Sequence, residues 1–182
     1  RGQIEPGFPL KLDIPITQNY HLSKGNDLTS SEITVLSVTG EIISLNLAGK
    51  ITKREQLEKI SPEANYTIIP SASKTDYLIA TWDEQKWSLL NKSGIQLFEK
   101  DYFSGEDFFQ QFYRLSAGKE LIIVTEKTLR KAYVYDLEGQ LLTVSPIDAT
   151  QPFSITYSSK NDIFSLYNIH DNELNLLEIS GR

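Results

Sequence analysis

The sequence lacks cysteine and methionine altogether and has only two histidines and two tryptophans in 182 residues. Without cysteine there is no disulfide framework, no thiolate zinc site and no thiol nucleophile. No apolar run approaches the ~20 residues that a membrane helix needs, and no signal-peptide pattern is visible. Cations are in the minority: 18 Lys and Arg stand against 24 Asp and Glu, for a formal charge of −6 and a pI near 5.0. The basic stretches "TKRE" and "KTLRK" are short and set among polar residues, so they read as solvated turns. A phosphate backbone would be repelled, which excludes nucleic acid as the expected partner. Motifs for a nucleophile elbow, a phosphate-cradling loop and a His-Glu-x-x-His zinc site are also missing.

What remains is a composition fit for a folded core, with 40% hydrophobic and 10% aromatic residues. Its organisation is repetitive. Four stretches, "LNLAGK", "LLNKSGI", "VYDLEGQ" and "LLEISGR", end around Gly49, Gly94, Gly139 and Gly181, spaced 45, 45 and 42 residues apart. Leu45, Leu90, Tyr135 and Leu177 stand four residues before each glycine, and Asn46, Asn91, Asp136 and Glu178 stand three before. Upstream of each lies a dense β-branched and aromatic run: "ITVLSV", "YLIAT", "LIIVT" and "IFSLY". A further strand precedes each run: "QNYHL", "NYTIIP", "QFYRL" and "FSITY". One unit therefore reads as strand a, polar turn, strand b, hairpin, strand c, glycine turn, strand d. Strand b is apolar on both faces and needs cover on both. A period of 42–45 residues with four strands per unit predicts an all-β fold, a β-propeller of about four four-stranded blades.

Gly2-Gln3 resembles Gly139-Gln140, so residues 1–13 read as a strand d without the three strands before it. The chain then divides into residues 14–60 for the first blade, 61–105 for the second, 106–149 for the third and 150–182 for a fourth lacking its strand d. Two arrangements follow. The N-terminal strand pairs with the last blade and closes the ring, or the chain is an arc of a larger propeller.

On "GEIISLNLAGK", "KAYVYDLEGQLL" and "IEPGFPL" the chain resembles the quinoprotein-like and FG-GAP-type bacterial propeller repeats. It departs from the first by lacking a Trp after the glycine turn, from the second by lacking an Asp-x-Asp-x-Asp-Gly loop, and from Trp-Asp repeats because Trp82-Asp83 falls at the b–c hairpin. The resemblance implies the fold and an envelope or secreted bacterial protein. It implies no cofactor, since the residues for that chemistry are missing.

The search for a site yields a few side chains. His21 and His170 come from units one and four, too few for a metal site. Asp171, Glu173 and Asn175 alternate, but a hairpin turn interrupts them. The segment "DYFSGEDFFQQFYRL" is dense in rings, with Tyr102, Phe103, Phe108, Phe109, Phe112 and Tyr113. The spacing of Phe108, Phe109 and Phe112 fits one turn of helix. These rings either pack between the second and third blades or form a patch for a partner. With the hairpin tip Trp82-Asp83, the contact residues expected are Trp82, Asp83, Tyr102, Phe103, Phe108 and Phe109. The function expected is a non-enzymatic binding or scaffold module for a protein partner. A carbohydrate-binding module and a fragment of a quinoprotein-like enzyme are the alternatives. No catalytic, cofactor or metal residue is assigned.

Overall fold

The computed structural model describes residues 8–58, 61–72, 76–101 and 107–181. These residues form four antiparallel sheets, each laid down as a meander. The first holds β1 (Ile16–Ser23), β2 (Glu32–Ser37), β3 (Glu41–Asn46) and β4 (Ile51–Gln56). The second holds β5 (Asn65–Pro70), β6 (Tyr77–Trp82), β7 (Lys86–Leu90) and β8 (Gln96–Asp101). The third holds β9 (Phe108–Arg114), β10 (Glu120–Glu126), β11 (Lys131–Tyr135) and β12 (Ile147–Asp148). The fourth holds three strands, β13 (Ser154–Ser158), β14 (Ile163–His170) and β15 (Glu173–Ser180).

The first strands of the sheets gather on one line. β1 packs on β5 and β5 on β9. Ser71 and Phe112 form a parallel bridge, and the Ala72 N–H donates to the Phe112 carbonyl at 2.9 Å. Between third and fourth sheets the link is a side chain. The Gln111 amide donates to the Phe153 carbonyl at 3.0 Å and accepts from the Phe153 N–H at 2.7 Å, as a neighbouring strand would. The sheets thus radiate like blades from a common axis, and the chain has an all-β, propeller-type architecture.

The apolar runs have their reason in this stacking. Ile79 points into the wedge between the first and second blades, while Leu78 and Ala80 point into the wedge between the second and third. Ile122 and Val124 fill that second wedge, and Leu121 and Ile123 fill the third, beside Phe164 and Leu166. Every second residue serves the opposite neighbour, so a strand b covered on both sides has no polar face. A fully buried residue of this kind contributes roughly 1.5–3 kcal/mol.

The glycine turns explain the repeat. Asn46, Asn91 and Asp136 each bond their N–H to the carbonyl four residues on, at 2.9–3.0 Å. Their side-chain Oδ1 accepts from the loop's own N–H groups, for example Ser93 and Ile95 on Asn91 and Glu138 and Gln140 on Asp136. Gly49, Gly94 and Gly139 hold φ of 81°, 75° and 80°, where a side chain is strained. A Cβ on Gly139 would also sit 2.7 Å from the Phe98 ring of the preceding blade. Gly181 does not follow the others. Glu178 is paired with Ser165 in β15, and the Gly181 N–H goes to the Asp162 carbonyl at 2.7 Å.

Two expectations change. Phe108–Phe112 is strand, not a turn of helix, because alternate residues of β9 feed two wedges: Phe108 and Phe112 one, Tyr113 the other. The third blade's outer strand is cut to a Tyr135–Leu141 bridge and the two residues of β12. Pro146 stands just before β12 and has no N–H to donate, which fits the interrupted ladder. The closing strand expected in residues 1–13 lies mostly outside the described residues. Residues 8–13 are not in a strand, and among the described residues β15 pairs with β14 alone.

Candidate functional site

The first strands β1, β5 and β9 border a groove of about 560 Å³ along the axis. Amides line one part of it: Gln18 and Asn19 from β1, Gln110 and Gln111 from β9. Asn19 Nδ2 donates to Thr67 Oγ1 at 3.1 Å, which ties β1 to β5. Gln110 Oε1 is buried and accepts no hydrogen bond from the described residues. A buried, unsatisfied amide oxygen costs about 1–3 kcal/mol and is repaired by any ligand that brings a donor.

Aromatic rings form the other part. Trp82, the last residue of β6, meets Phe108 edge-to-face, with centroids 5.2 Å apart and planes at 80°. Phe109 lies on the opposite face of β9 and also lines the groove. Lys127 Nζ sits 5.8 Å from its centroid and pairs with Asp107 at 2.7 Å. Phe112 is buried between blades, while Trp82, Phe108 and Phe109 are half-buried at the groove.

Asp83 has local work. Its Oδ1 accepts from the N–H groups of Gln85 at 2.8 Å and Lys86 at 2.9 Å, closing the b–c hairpin. Those bonds hold its carboxyl below the usual range. Tyr102 and Phe103 lie outside the described residues. The amides Gln18, Asn19, Gln110 and Gln111 were not expected. Their signal was present in strand a, where paired amides interrupt an otherwise apolar run, but the rings in the same stretch are the louder feature.

Among the described residues no carboxylate, histidine, lysine or arginine lines the groove. The titratable group among the described lining residues is Tyr113, pushed up to about 12 by burial, with its hydroxyl donated to the Phe153 carbonyl. The rings and amides of this lining can bind and orient a ligand. The histidines stand elsewhere. His21 is buried against Tyr77, centroids 4.8 Å apart, and His170 lies beside Asp171 and Arg130. Among the described residues no three His, Asp or Glu come together as a metal site would require, and no helix is long and apolar enough to cross a membrane.

No family model and no curated protein matches the chain. Solved structures do. It is similar to BBS1N, crystallised in complex with ARL6DN, at 15% identity and a TM-score of 0.48, over 90% of this chain and 51% of that one. It is similar to BamB from Moraxella catarrhalis at 12% identity and a TM-score of 0.43, over 87% of this chain and 42% of that one. A streptogramin B lyase matches at 18% identity and a TM-score of 0.45, over 92% of this chain and 56% of that one. The chain spans about half the length of these structures. At such identities and TM-scores the likeness carries no function across.

Proposed function

We propose that the chain is a non-enzymatic propeller module that binds a protein partner, with the axial groove as its contact surface. The observation that carries this is the composition of the groove: aromatic rings and amides, one of them a buried acceptor without a partner, with no carboxylate, imidazole, amine or guanidinium among the described lining residues. Such a lining suits the backbone and side chains of an inserted polypeptide loop, whose N–H groups satisfy Gln110 while Trp82, Phe108 and Phe109 supply apolar area. The resemblance to quinoprotein-like and FG-GAP-type repeats supports a place in a bacterial envelope or among secreted proteins.

Carbohydrate binding is the second reading, favoured by Trp82 and Phe109 on the groove wall, where a sugar face can stack. An enzyme fragment would need its reactive residues from outside this chain.

The test replaces Gln18, on the groove, with a photo-crosslinking residue in the full chain. Irradiation in cells that export the chain should give discrete protein adducts, lost in a Phe109→Asp variant. Trp emission should not respond to a panel of oligosaccharides. Sugar-dependent quenching without protein adducts would replace the protein reading with the carbohydrate one.

A further inference from the structure

The face that β10 turns toward the second blade begins apolar and ends charged. Ile122 and Val124 fill the wedge there, and Glu126, two positions further on, shares their face. Glu126 is only 3% exposed, and its Oε2 is buried without a hydrogen-bond partner among the described residues. Trp87 meets this end of the wedge from the second blade. It is also 3% exposed, and its Nε1–H is buried and unpartnered among the described residues. Both side chains line one cavity of about 20 Å³, with Val124, Lys100, Tyr133 and Tyr135 around them. The two blades that enclose it each pack against a further blade on their other side.

The ladder places these two groups opposite each other. Trp82 and Phe108 touch at the axial groove, with centroids 5.2 Å apart. Trp87 is the cross-strand partner of Trp82, and Glu126 is the cross-strand partner of Phe108. One strand out from the ring contact, an indole N–H thus meets a carboxylate. A buried indole N–H ordinarily has an acceptor, and a buried carboxylate needs donors. One small molecule that both accepts and donates completes both groups. Size excludes a sugar ring or a peptide and admits water. A cation has the wrong sign, because the same cavity receives the positive end of the Trp87 N–H and the Lys100 ammonium, which sits 5.3 Å from the Tyr135 ring centroid. An anion would meet Glu126. Burial raises the phenols of Tyr133 and Tyr135, the second to about 12, so neither adds another negative charge near neutral pH.

We infer that this cavity is a binding site for one ordered water, which accepts from the Trp87 indole N–H, donates to Glu126 Oε2 and so joins the second blade to the third. The rest of this wedge is held by apolar packing, among Leu78, Ala80, Leu89, Phe98 and Ile122. Apolar packing is non-directional. A water held between two named atoms is directional, and it fixes which residue of β10 stands opposite Trp87. The Trp82–Phe108 contact is one strand away in both blades, so the bridge positions the ring wall of the axial groove. The site is separate from the groove and does not depend on what the groove binds.

The test reads the Trp87 indole proton by NMR in the full chain. Two tryptophans give two indole signals, and Trp82→Phe leaves the one that belongs to Trp87. In paired NOESY and ROESY spectra Trp87 Hε1 should show a cross-peak to water with the sign of a long-lived bound molecule, which in the ROESY is opposite to that of chemical exchange. Glu126→Leu should reduce the cross-peak to background. Glu126→Gln, which keeps a side-chain oxygen, should keep it. Circular dichroism verifies the fold of each variant, and the unsubstituted chain decides by itself if the Leu variant does not fold. Absence of the cross-peak, a cross-peak from exchange alone, or one equally strong in Glu126→Leu overturns the inference. A shift of the Trp87 Hε1 signal that saturates with added sodium or potassium chloride overturns it in favour of a cation. Contacts from Hε1 to protons of residues 102–106 in place of water overturn it in favour of a partner within the chain.

Discussion

The second and fourth blades come from the same repeat, yet they are covered differently. In β6 every residue from Leu78 to Thr81 is buried, because the first blade covers one face and the third covers the other. In β14 burial alternates: Phe164, Leu166 and Asn168 face the third blade and are buried, while Ile169 is 56% exposed. Its cross-strand neighbours continue the pattern, with Leu174 at 74% and Leu176 at 56%. A blade is thus not a stable unit by itself. It is one half of each of two wedges, and a blade at an end keeps an apolar face in reserve. The sequence already leans this way. Ser165 and Asn168 interrupt the run "IFSLYNIH", whereas "YLIATW" has no polar residue but Thr81.

The first blade shows that an end can be covered. Val35, Ile43 and Leu45 lie on its face away from the second blade and are all under 9% exposed. Arg54, opposite Ile43 and so on that same face, pairs with Asp13 at 2.7 Å. Residues 8–15 therefore cross this side, with Phe8, Leu10, Leu12 and Ile14 half-buried in alternation with exposed neighbours.

The largest contrast comes from paired truncations. Leu89→Ala empties space in the wedge between second and third blades, where Leu89 is fully buried, and should cost about 2–5 kcal/mol. Leu174→Ala on the open face should change stability by less than about 0.5 kcal/mol. Urea melts of the two variants measure this, and equal losses would mean that the outer face of the fourth blade is buried in solution. Next comes Gln111→Ala. It strips the Phe153 N–H of its acceptor and leaves the Phe153 carbonyl only the Tyr113 hydroxyl, a loss of about 1–3 kcal/mol. Protease cleavage should then begin within residues 154–181; cleavage spread evenly over the chain would show that the blades do not come apart singly.

Glycine variants sharpen the account of the turns. Gly139→Ala meets both a φ of 80° and the Phe98 ring, whereas Gly118→Ala meets only a φ of 70° with nothing within 4 Å. The second should cost about 1 kcal/mol and the first clearly more, each kcal/mol lowering the melting temperature by about 2–4 °C. Equal costs would remove the close approach of blades from the explanation of the repeat. The smallest effect is one of pH. Burial holds His21 below its ordinary value of 6.5, so the unfolded chain binds a proton more readily than the folded one. Its contribution is complete above about pH 6.5 and is lost as pH falls through the range down to the folded-state value. His21→Phe should flatten the melting temperature between pH 7 and pH 5.5; an unchanged slope would assign the acid sensitivity to the carboxylates.

The repeat made the strands legible. "NYTIIP" coincides with β5, and the runs named for strand b lie within β2, β6, β10 and β14 or one residue beyond. Wedge packing needs apolar side chains at every position of a doubly covered strand, and the glycine turns need one side chain and one backbone conformation at fixed spacing, so both leave marks in the sequence. The groove left fewer. Trp82, Phe108 and Phe109 stand out by type, but Gln18, Asn19 and Gln110 come from different blades, and only the closing together of first strands makes them neighbours. The Phe108–Phe112 spacing was ambiguous because two rings in sequence fit a helical turn as well as a strand that serves two wedges.

The most direct measurement is amide hydrogen exchange resolved strand by strand. If the inner strands of the second and third blades are covered on both faces and paired on both edges, while β15 pairs with β14 alone as among the described residues, the amides of β6, β7, β10 and β11 exchange only with global unfolding. Alternate amides of β15 then exchange orders of magnitude faster. Uniform protection of β15, at the level of β7, would contradict the one-sided pairing of β15 among the described residues.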